Sequence, residues 1–157
     1  MLDVIYIPLL DFINDNPDKI EQIKNQYLLL LSNLTSTEHL ETSLFLKNIS
    51  NICDMGSIII GIINNSTSNF EIIASGTIII EPKIIRNGKN VGHIEDIVVS
   101  PHMRGKGISQ RILDMLKYLA KSYDCYKVIL DCSEDVKNVY NKNGFEIKGV
   151  QMAQYFT

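Results

Sequence analysis

Val91-Gly92-His93-Ile94-Glu95-Asp96-Ile97-Val98-Val99-Ser100-Pro101-His102-Met103-Arg104-Gly105-Lys106-Gly107-Ile108-Ser109-Gln110 carries a β-branched strand directly into a Gly-rich turn that opens an amphipathic helix. Such a junction is a seat for a pyrophosphate. Amides at a helix N-terminus lack intrahelical acceptors, the helix dipole favours negative charge there, and glycines let the backbone approach closely. Two well-known phosphate loops do not fit. A dinucleotide fingerprint wants a third glycine where Gln110 stands, and a P-loop wants Ser or Thr after Gly-Lys, where Gly107 stands. What fits is an arginine, a glycine and a small residue spaced as Arg104, Gly107 and Ser109.

Downstream of this loop, Ile108, Ile112, Leu113, Leu116 and Leu119 recur at helical spacing, with Arg111, Asp114, Lys117 and Lys121 facing elsewhere. A short buried strand is expected over 128–130 and a short helix over 134–141. Asn143-Gly144 should stop that helix before Phe145, with a last strand over 150–156. Upstream, the β-branched runs 57–63 and 70–80 flank a polar turn at 64–69 and predict an antiparallel hairpin. The next strand, over 92–99, must end at Pro101, which has no ladder donor. Nearer the N-terminus, Asn16-Pro17-Asp18 predicts the start of a helix over 17–32, and Ser36-Thr37-Glu38-His39 predicts another over 37–51. The two should form a helical hairpin. The pattern is α/β (α+β): a central mixed, mostly antiparallel β-sheet flanked by helices, with no repeat or linker and one domain over 1–157.

The chain has 157 residues, 45% hydrophobic and 21% charged, which suits one soluble globular core. A net charge of -3 argues against general nucleic-acid binding and leaves room for a local basic pocket. Met1-Leu2-Asp3-Val4 has no positively charged leader, and the apolar runs 57–63 and 76–80 are too short to cross a bilayer. A cytoplasmic protein without a membrane partner is therefore expected. Cys53, Cys125 and Cys132 have neither zinc-type spacing nor an even count, so reduced thiols and no metal are expected.

The Arg-x-x-Gly-x-small loop resembles the pyrophosphate loop of the GCN5-related N-acetyltransferases (GNAT), enzymes that bind acetyl-CoA; Ser109 stands where Gly or Ala is usual. Three blocks narrow the resemblance: Gly92-His93-Ile94-Glu95-Asp96-Ile97-Val98-Val99, Cys125-Tyr126-Lys127-Val128-Ile129-Leu130-Asp131-Cys132, and Tyr140-Asn141-Lys142-Asn143-Gly144-Phe145. Together with Ile78-Ile79-Ile80-Glu81-Pro82-Lys83-Ile84-Ile85 and Leu34-Thr35, they resemble the eukaryotic-type glucosamine 6-phosphate N-acetyltransferases.

That resemblance implies the GNAT fold, with a splayed strand pair at the acyl-CoA site and direct acetyl transfer in a ternary complex. The acceptor it implies is D-glucosamine 6-phosphate, on the route to UDP-N-acetylglucosamine. Backbone amides of Ile97, Val98 and Val99 would meet the acetyl carbonyl and pantetheine, because an amide freed from the ladder can donate to a ligand. Arg104, Gly105, Lys106, Gly107, Ile108, Ser109 and Gln110 would hold the pyrophosphate. Tyr140 would face the coenzyme sulfur and protonate the departing thiolate. On the acceptor side the family implies Thr35, Lys83, Arg86, Glu95, Asp96, Ile97, Tyr126, Lys127 and Asp131, in a homodimer whose C-terminal strand crosses to the partner. The family tends to carry histidine at the position of Arg86. It also tends to carry a phosphate-binding arginine near the C-terminus, where Tyr155 falls; the Arg86 guanidinium would compensate.

The residues themselves add further expectations. Glu95 and Asp96 are neighbours on a strand, so alternation should send them to opposite faces, with at most one in any pocket. Asp131 ends a parallel-type strand, where ligands gather in α/β sheets. His93 is expected as a hydrogen-bonded strand residue and Cys132 as a small buried one, which disfavours an acetyl-cysteine intermediate. Glu95, Asp131 and a water chain all remain open as the general base. Two other functions stay open as well: a GNAT enzyme acting on another amino sugar, polyamine or peptide amine, and an acyl-CoA-binding module without turnover.

Overall fold

The computed structural model describes residues 2–67 and 69–157. Five strands, β1 (Ile5–Pro8), β2 (Gly56–Ile63), β3 (Glu71–Pro82), β4 (Asn90–Val99) and β5 (Cys125–Ile129), form one sheet in sequential order. Pairing is antiparallel from β1 to β4, and β5 joins β4 in parallel. The expected mixed, mostly antiparallel sheet is thus present. The helices are α1 (Leu9–Asp15), α2 (Ile20–Leu31), α3 (Thr42–Met55), α4 (Ile108–Ser122) and α5 (Lys137–Lys142).

Helices cover both faces of the sheet, which explains why β2 is a continuous apolar run rather than an alternating one: Ile58, Ile59, Ile60, Ile62 and Ile63 are all buried. Ile58, Ile60 and Ile62 pack with Phe12, Ile23, Tyr27, Leu30, Phe45 and Ile49 from α1, α2 and α3. Ile59 and Ile63 pack on the opposite face with Ile73, Ile78, Ile94 and the inner stripe of α4. That stripe is the helical pattern visible in the sequence; Ile112, Leu113 and Leu116 are 0% exposed. Burying each contributes roughly 1.5–3 kcal/mol, which locks α4 onto the sheet. Gln26 ties α2 to the start of β3, its Nε2 donating to the Phe70 carbonyl (3.0 Å) and its Oε1 accepting from the Ile72 amide (2.9 Å). Among the described residues, no helix is long and apolar enough to cross a membrane.

Several local expectations change. Asn16 holds the N-cap position of the 3-10 turn Pro17–Lys19 that leads into α2, but its side chain makes no cap bond there; its Nδ2 donates back to the Phe12 carbonyl (2.9 Å), closing α1. The second helix begins at Thr42 rather than near 37. Ser36-Thr37-Glu38-His39 forms no capping box. Instead the Thr42 hydroxyl meets Glu21 and accepts from Lys24 Nζ (2.8 Å), so the polar group that could nucleate α3 joins it to α2. β1 and α1 had no prediction; a four-residue edge strand ending in proline carries too little periodicity to read. Ser68, within the expected turn at 64–69, lies outside the described residues.

The largest correction is at the C-terminus. No strand forms over 150–156, nor over 145–148, and Val150, Met152, Tyr155 and Phe156 are nearly fully exposed. A strand exists only where a neighbour completes its ladder, and within one chain this segment pairs with none.

Candidate active site

The site grows from a defect in β4. Along the β3–β4 ladder Ser75 pairs with Val98, but Thr77 pairs with Glu95, so Gly76 alone stands opposite Asp96 and Ile97. This is a β-bulge, and Asp96 takes the left-handed backbone it requires (φ 53). Gly76 makes the bulge possible: a Cβ there would lie 2.6 Å from Ile97 Cδ1 and 2.6 Å from Ile112 Cγ2. An isolated glycine in a strand pattern is a bulge signal, and Gly76 was the available clue. On the other side of β4, pairing with β5 stops at His93–Ile129. Beyond that point the two strands part, and the edge of β4 from Ile94 to Val99 faces a cleft of about 840 Å³.

The bulge also overturns the alternation argument for Glu95 and Asp96. Both line this one cleft, because a left-handed residue breaks the period-two rule. Asp131 lies across from them, just past β5. Burial, then Asp131 and Asp96, push the Glu95 carboxyl above its ordinary range, against a smaller opposing effect of His93. Three carboxylates at one gap repel, and the partly desolvated one gives way first.

The far end of the cleft is the Gly-rich loop. Gly105 and Gly107 both adopt φ 75, and a Cβ on either would meet nothing within 4 Å; they serve backbone conformation and leave the loop face open. Gly107 is the N-cap of α4 and no side chain caps the helix, so its first-turn amides are offered to the cleft without a competing acceptor. Arg104 Nε donates to the Val99 carbonyl (3.2 Å), folding the loop against the end of β4. This arrangement suits a phosphate diester or pyrophosphate.

Tyr140, on α5, lines the middle of the cleft and packs edge-on against Phe145, with ring centroids 6.0 Å apart. Its phenol is pushed up by burial first, then by Cys132 and Asp131, so it holds its proton at neutral pH. Asn33, Leu34 and Thr35, from the connection between α2 and α3, form another wall.

The structure therefore brings together Thr35, Glu95, Asp96, Ile97, Val98, Val99, Arg104, Gly105, Gly107, Ile108, Ser109, Asp131 and Tyr140. Lys106 and Gln110 do not line the cleft; their side chains meet Met103 Sδ (3.8 Å) and Asp114 Oδ1 (3.1 Å). The basic candidates gather elsewhere. Lys83 pairs with Glu81, whose other oxygen lies 2.6 Å from His93 Nε2, the strand partnership expected of that histidine. The Arg86 guanidinium lies 5.6 Å from the centre of the Tyr126 ring, and Lys127 Nζ lies 5.5 Å from it. Lys127 and His93 line a second cleft of about 740 Å³, which shares Glu95, Leu130, Asp131, Cys132 and Ser133 with the first. Glu95 and Asp131 thus stand on the wall between two openings.

Cys132 is exposed rather than buried, and lines both clefts, because β5 ends at Ile129 and leaves residues 130–133 extended across the gap. Val136 and Val139 also line the first cleft. With Tyr140 they share one face of the segment 134–142, a helical spacing the sequence displays.

The pattern that describes the Acetyltransferase (GNAT) family matches residues 30–145. The chain belongs to the GNAT family. Among its GNAT relatives, the probable glucosamine 6-phosphate N-acetyltransferase 2 of Oryza sativa is 38% identical over 132 residues, covering 83% of this chain and 80% of the relative. The glucosamine 6-phosphate N-acetyltransferase of Arabidopsis thaliana is 37% identical over 139 residues, covering 88% of this chain and 93% of the relative. A crystal structure of the glucosamine-6-phosphate N-acetyltransferase from Arabidopsis thaliana superposes with a TM-score of 0.82 at 34% identity, covering 99% of both chains. The GNAT fold expected from the loop and its flanking blocks is the fold observed.

Proposed function

We propose that the chain is an acetyl-CoA-dependent N-acetyltransferase whose acceptor is D-glucosamine 6-phosphate, giving N-acetyl-D-glucosamine 6-phosphate by direct transfer in a ternary complex. The observation that carries the reading is one cleft with three parts: a bulged strand edge, uncapped helix amides at one end and a protonated tyrosine between. The names of the relatives supply the acceptor.

Acetyl-CoA supplies the thioester. Amides of Ile97, Val98 and Val99 polarise its carbonyl, and the loop from Arg104 to Ser109 with the first turn of α4 receives the pyrophosphate. Tyr140 gives its proton to the coenzyme thiolate as the C–S bond breaks, and the proton that the nitrogen sheds on becoming an amide restores the phenol. The acceptor amine must lose a proton before attack, since an ammonium has no lone pair. Glu95, with its raised affinity for a proton and its place between the two openings, is the group that takes it, with Asp131 holding the amine. Lys127, Arg86 and Tyr126 lie on the acceptor side and meet the phosphate, with Lys83 released from Glu81. Positioning and carbonyl polarisation supply most of the rate.

In this reading the whole chain acts as one cytoplasmic domain, paired as a homodimer and working on the route to UDP-N-acetylglucosamine. A thiol-release assay with acetyl-CoA and a panel of amines tests it. Coenzyme release with glucosamine 6-phosphate alone is the expected result. Release with a different amine only would replace the acceptor, and coenzyme binding without release from any amine would remove the enzymatic reading. The panel matters because Tyr155 stands where the family tends to carry a phosphate-binding arginine, and its side chain is 87% exposed.

A further inference from the structure

The bulge in β4 has a polar support on the face away from the cleft. Ser75 and Thr77 flank Gly76, pair with Val98 and Glu95 on either side of the bulge, and are 0% and 6% exposed. Residues two apart on a strand share a face, so both point toward α2 while Gly76 points toward α4. From α2 the hydroxyl of Tyr27, itself 6% exposed, reaches this point. Ser75 Oγ donates to it at 3.3 Å, and Thr77 stands two residues along on the same face of β3. Burial above all, opposed by the Ser75 hydrogen bond and helped by the charge of Asp96, pushes the phenol up to about 12, so the bulged residue is a neighbour of the cluster.

The surroundings are otherwise apolar: Tyr27 packs with Phe45, Leu30, Ile60 and Val98. Phenylalanine, alanine and valine would fill the same space without the desolvation cost of three buried hydroxyls. On the α4 face the bulge is held by the side chain of Ile97 in the room left by Gly76. On the α2 face Tyr27 holds Ser75, whose partner Val98 marks one end of the register break. The bulge is clamped from both sides of the sheet.

We propose that Tyr27, acting through Ser75, is a positioning residue for acetyl transfer: it fixes the register break in β4 and so aims the Ile97 and Val98 amides and the Asp96 carboxylate at the cleft. The proposal rests on the acetyltransferase reading for its kinetic part only. Tyr27 touches neither substrate, and its effect passes through the backbone. Preorganised donors lose their value when their direction is free to vary, which lowers turnover more than binding.

The test is Tyr27→Phe, which keeps the ring and removes the hydroxyl. The expected result is a kcat about tenfold to a hundredfold lower, with the acetyl-CoA KM changed less than threefold, in line with the loss of part of an oxyanion-type contact. Amide hydrogen exchange at Ile97 and Val98 should accelerate while exchange in α4 stays as in the wild type. Ser75→Ala should reproduce the effect, and the double variant should be no worse than either single one, since the groups act as a unit. Phe45→Leu is the packing control: it loosens the same contact, keeps the hydroxyl, and should lower Tm without lowering kcat. Wild-type kcat and unchanged exchange in Tyr27→Phe would overturn the proposal. So would a kcat loss matched by Phe45→Leu at equal Tm. If the wild type acetylates no amine, the functional reading fails, and the exchange measurement alone decides the positioning role.

Discussion

Glu95 differs from the other carboxylates of the cleft in what its neighbours do to it. Partial burial and two nearby negative charges favour its protonated form. The sign of the linkage follows. A carboxyl with a raised value in the folded chain binds its proton more tightly there than in the unfolded chain, so its contribution to stability is greatest at low pH. That contribution declines as pH rises from the ordinary glutamate value of about 4.3 through the raised one. Activity runs the opposite way if the carboxylate is the base. The acidic limb of kcat/KM should then fall above the ordinary carboxylate range, and Glu95→Gln should abolish that limb and lower turnover; an unchanged limb in the variant returns the role to Asp131 or water. Tyr140 has the complementary prediction. Tyr140→Phe should cut kcat about a hundredfold to ten-thousandfold while leaving acetyl-CoA affinity within about a factor of two, a range in keeping with loss of one general acid. Equal turnover in this variant would end its assignment. These side chains were legible because their identities carry the chemistry, whereas the shared cleft of Glu95 and Asp96 was not, since a positive φ at one residue reverses an alternation argument.

Strand, loop and helix were legible as elements wherever their periodicity ran long. The stripe of α4 and the isoleucine runs of β2 and β3 each repeat for at least two turns or six residues, and all three elements form close to where the pattern puts them. The start of α3 was misplaced because Thr42 is recruited by Glu21 and Lys24 of another helix, a tertiary demand that a local capping pattern does not contain. The loop before α4 offers the sharpest test at this scale. Gly107 caps the helix at φ 75 with open space around it, so Gly107→Ala meets no steric clash and costs only the left-handed backbone, about 1–2 kcal/mol. The chain relieves that cost most easily by rotating the loop. The acetyl-CoA KM should therefore rise about tenfold with little change in acceptor KM, while Tm falls by a few degrees. Titration of the variant with acetyl-CoA by calorimetry checks it, and wild-type affinity would mean that the loop amides are not the anion site.

At the scale of the whole molecule, the chain leaves two surfaces incomplete. β5 is the last strand of the sheet, and among the described residues its outer edge has no neighbour. The segment 146–157, within which the sequence pattern marks 150–156 as a strand, runs free of any ladder and exposes Ile147, Val150, Met152, Tyr155 and Phe156 by 70% to 91%. An open edge beside an unpaired apolar segment is an association site, and two copies related by a two-fold axis can complete one another's sheets. The sequence could mark the strand but not its absence from the single chain, because a strand needs a neighbour that a local pattern does not contain. The position of the tail ties assembly to chemistry: residues 145–151 wall the second cleft, opposite Glu95, Lys127 and Asp131. The protein should therefore sediment as a dimer, and deletion of residues 146–157 should yield a folded monomer, since the buried clusters on both faces of the sheet end at Phe145. That monomer should retain acetyl-CoA binding, whose groups all precede residue 141, and should lose acceptor affinity about tenfold or more. Sedimentation with parallel titration of both substrates separates the outcomes. A full-length monomer at assay concentration removes the dimer, and an unchanged acceptor KM in the deletion removes the tail from the site.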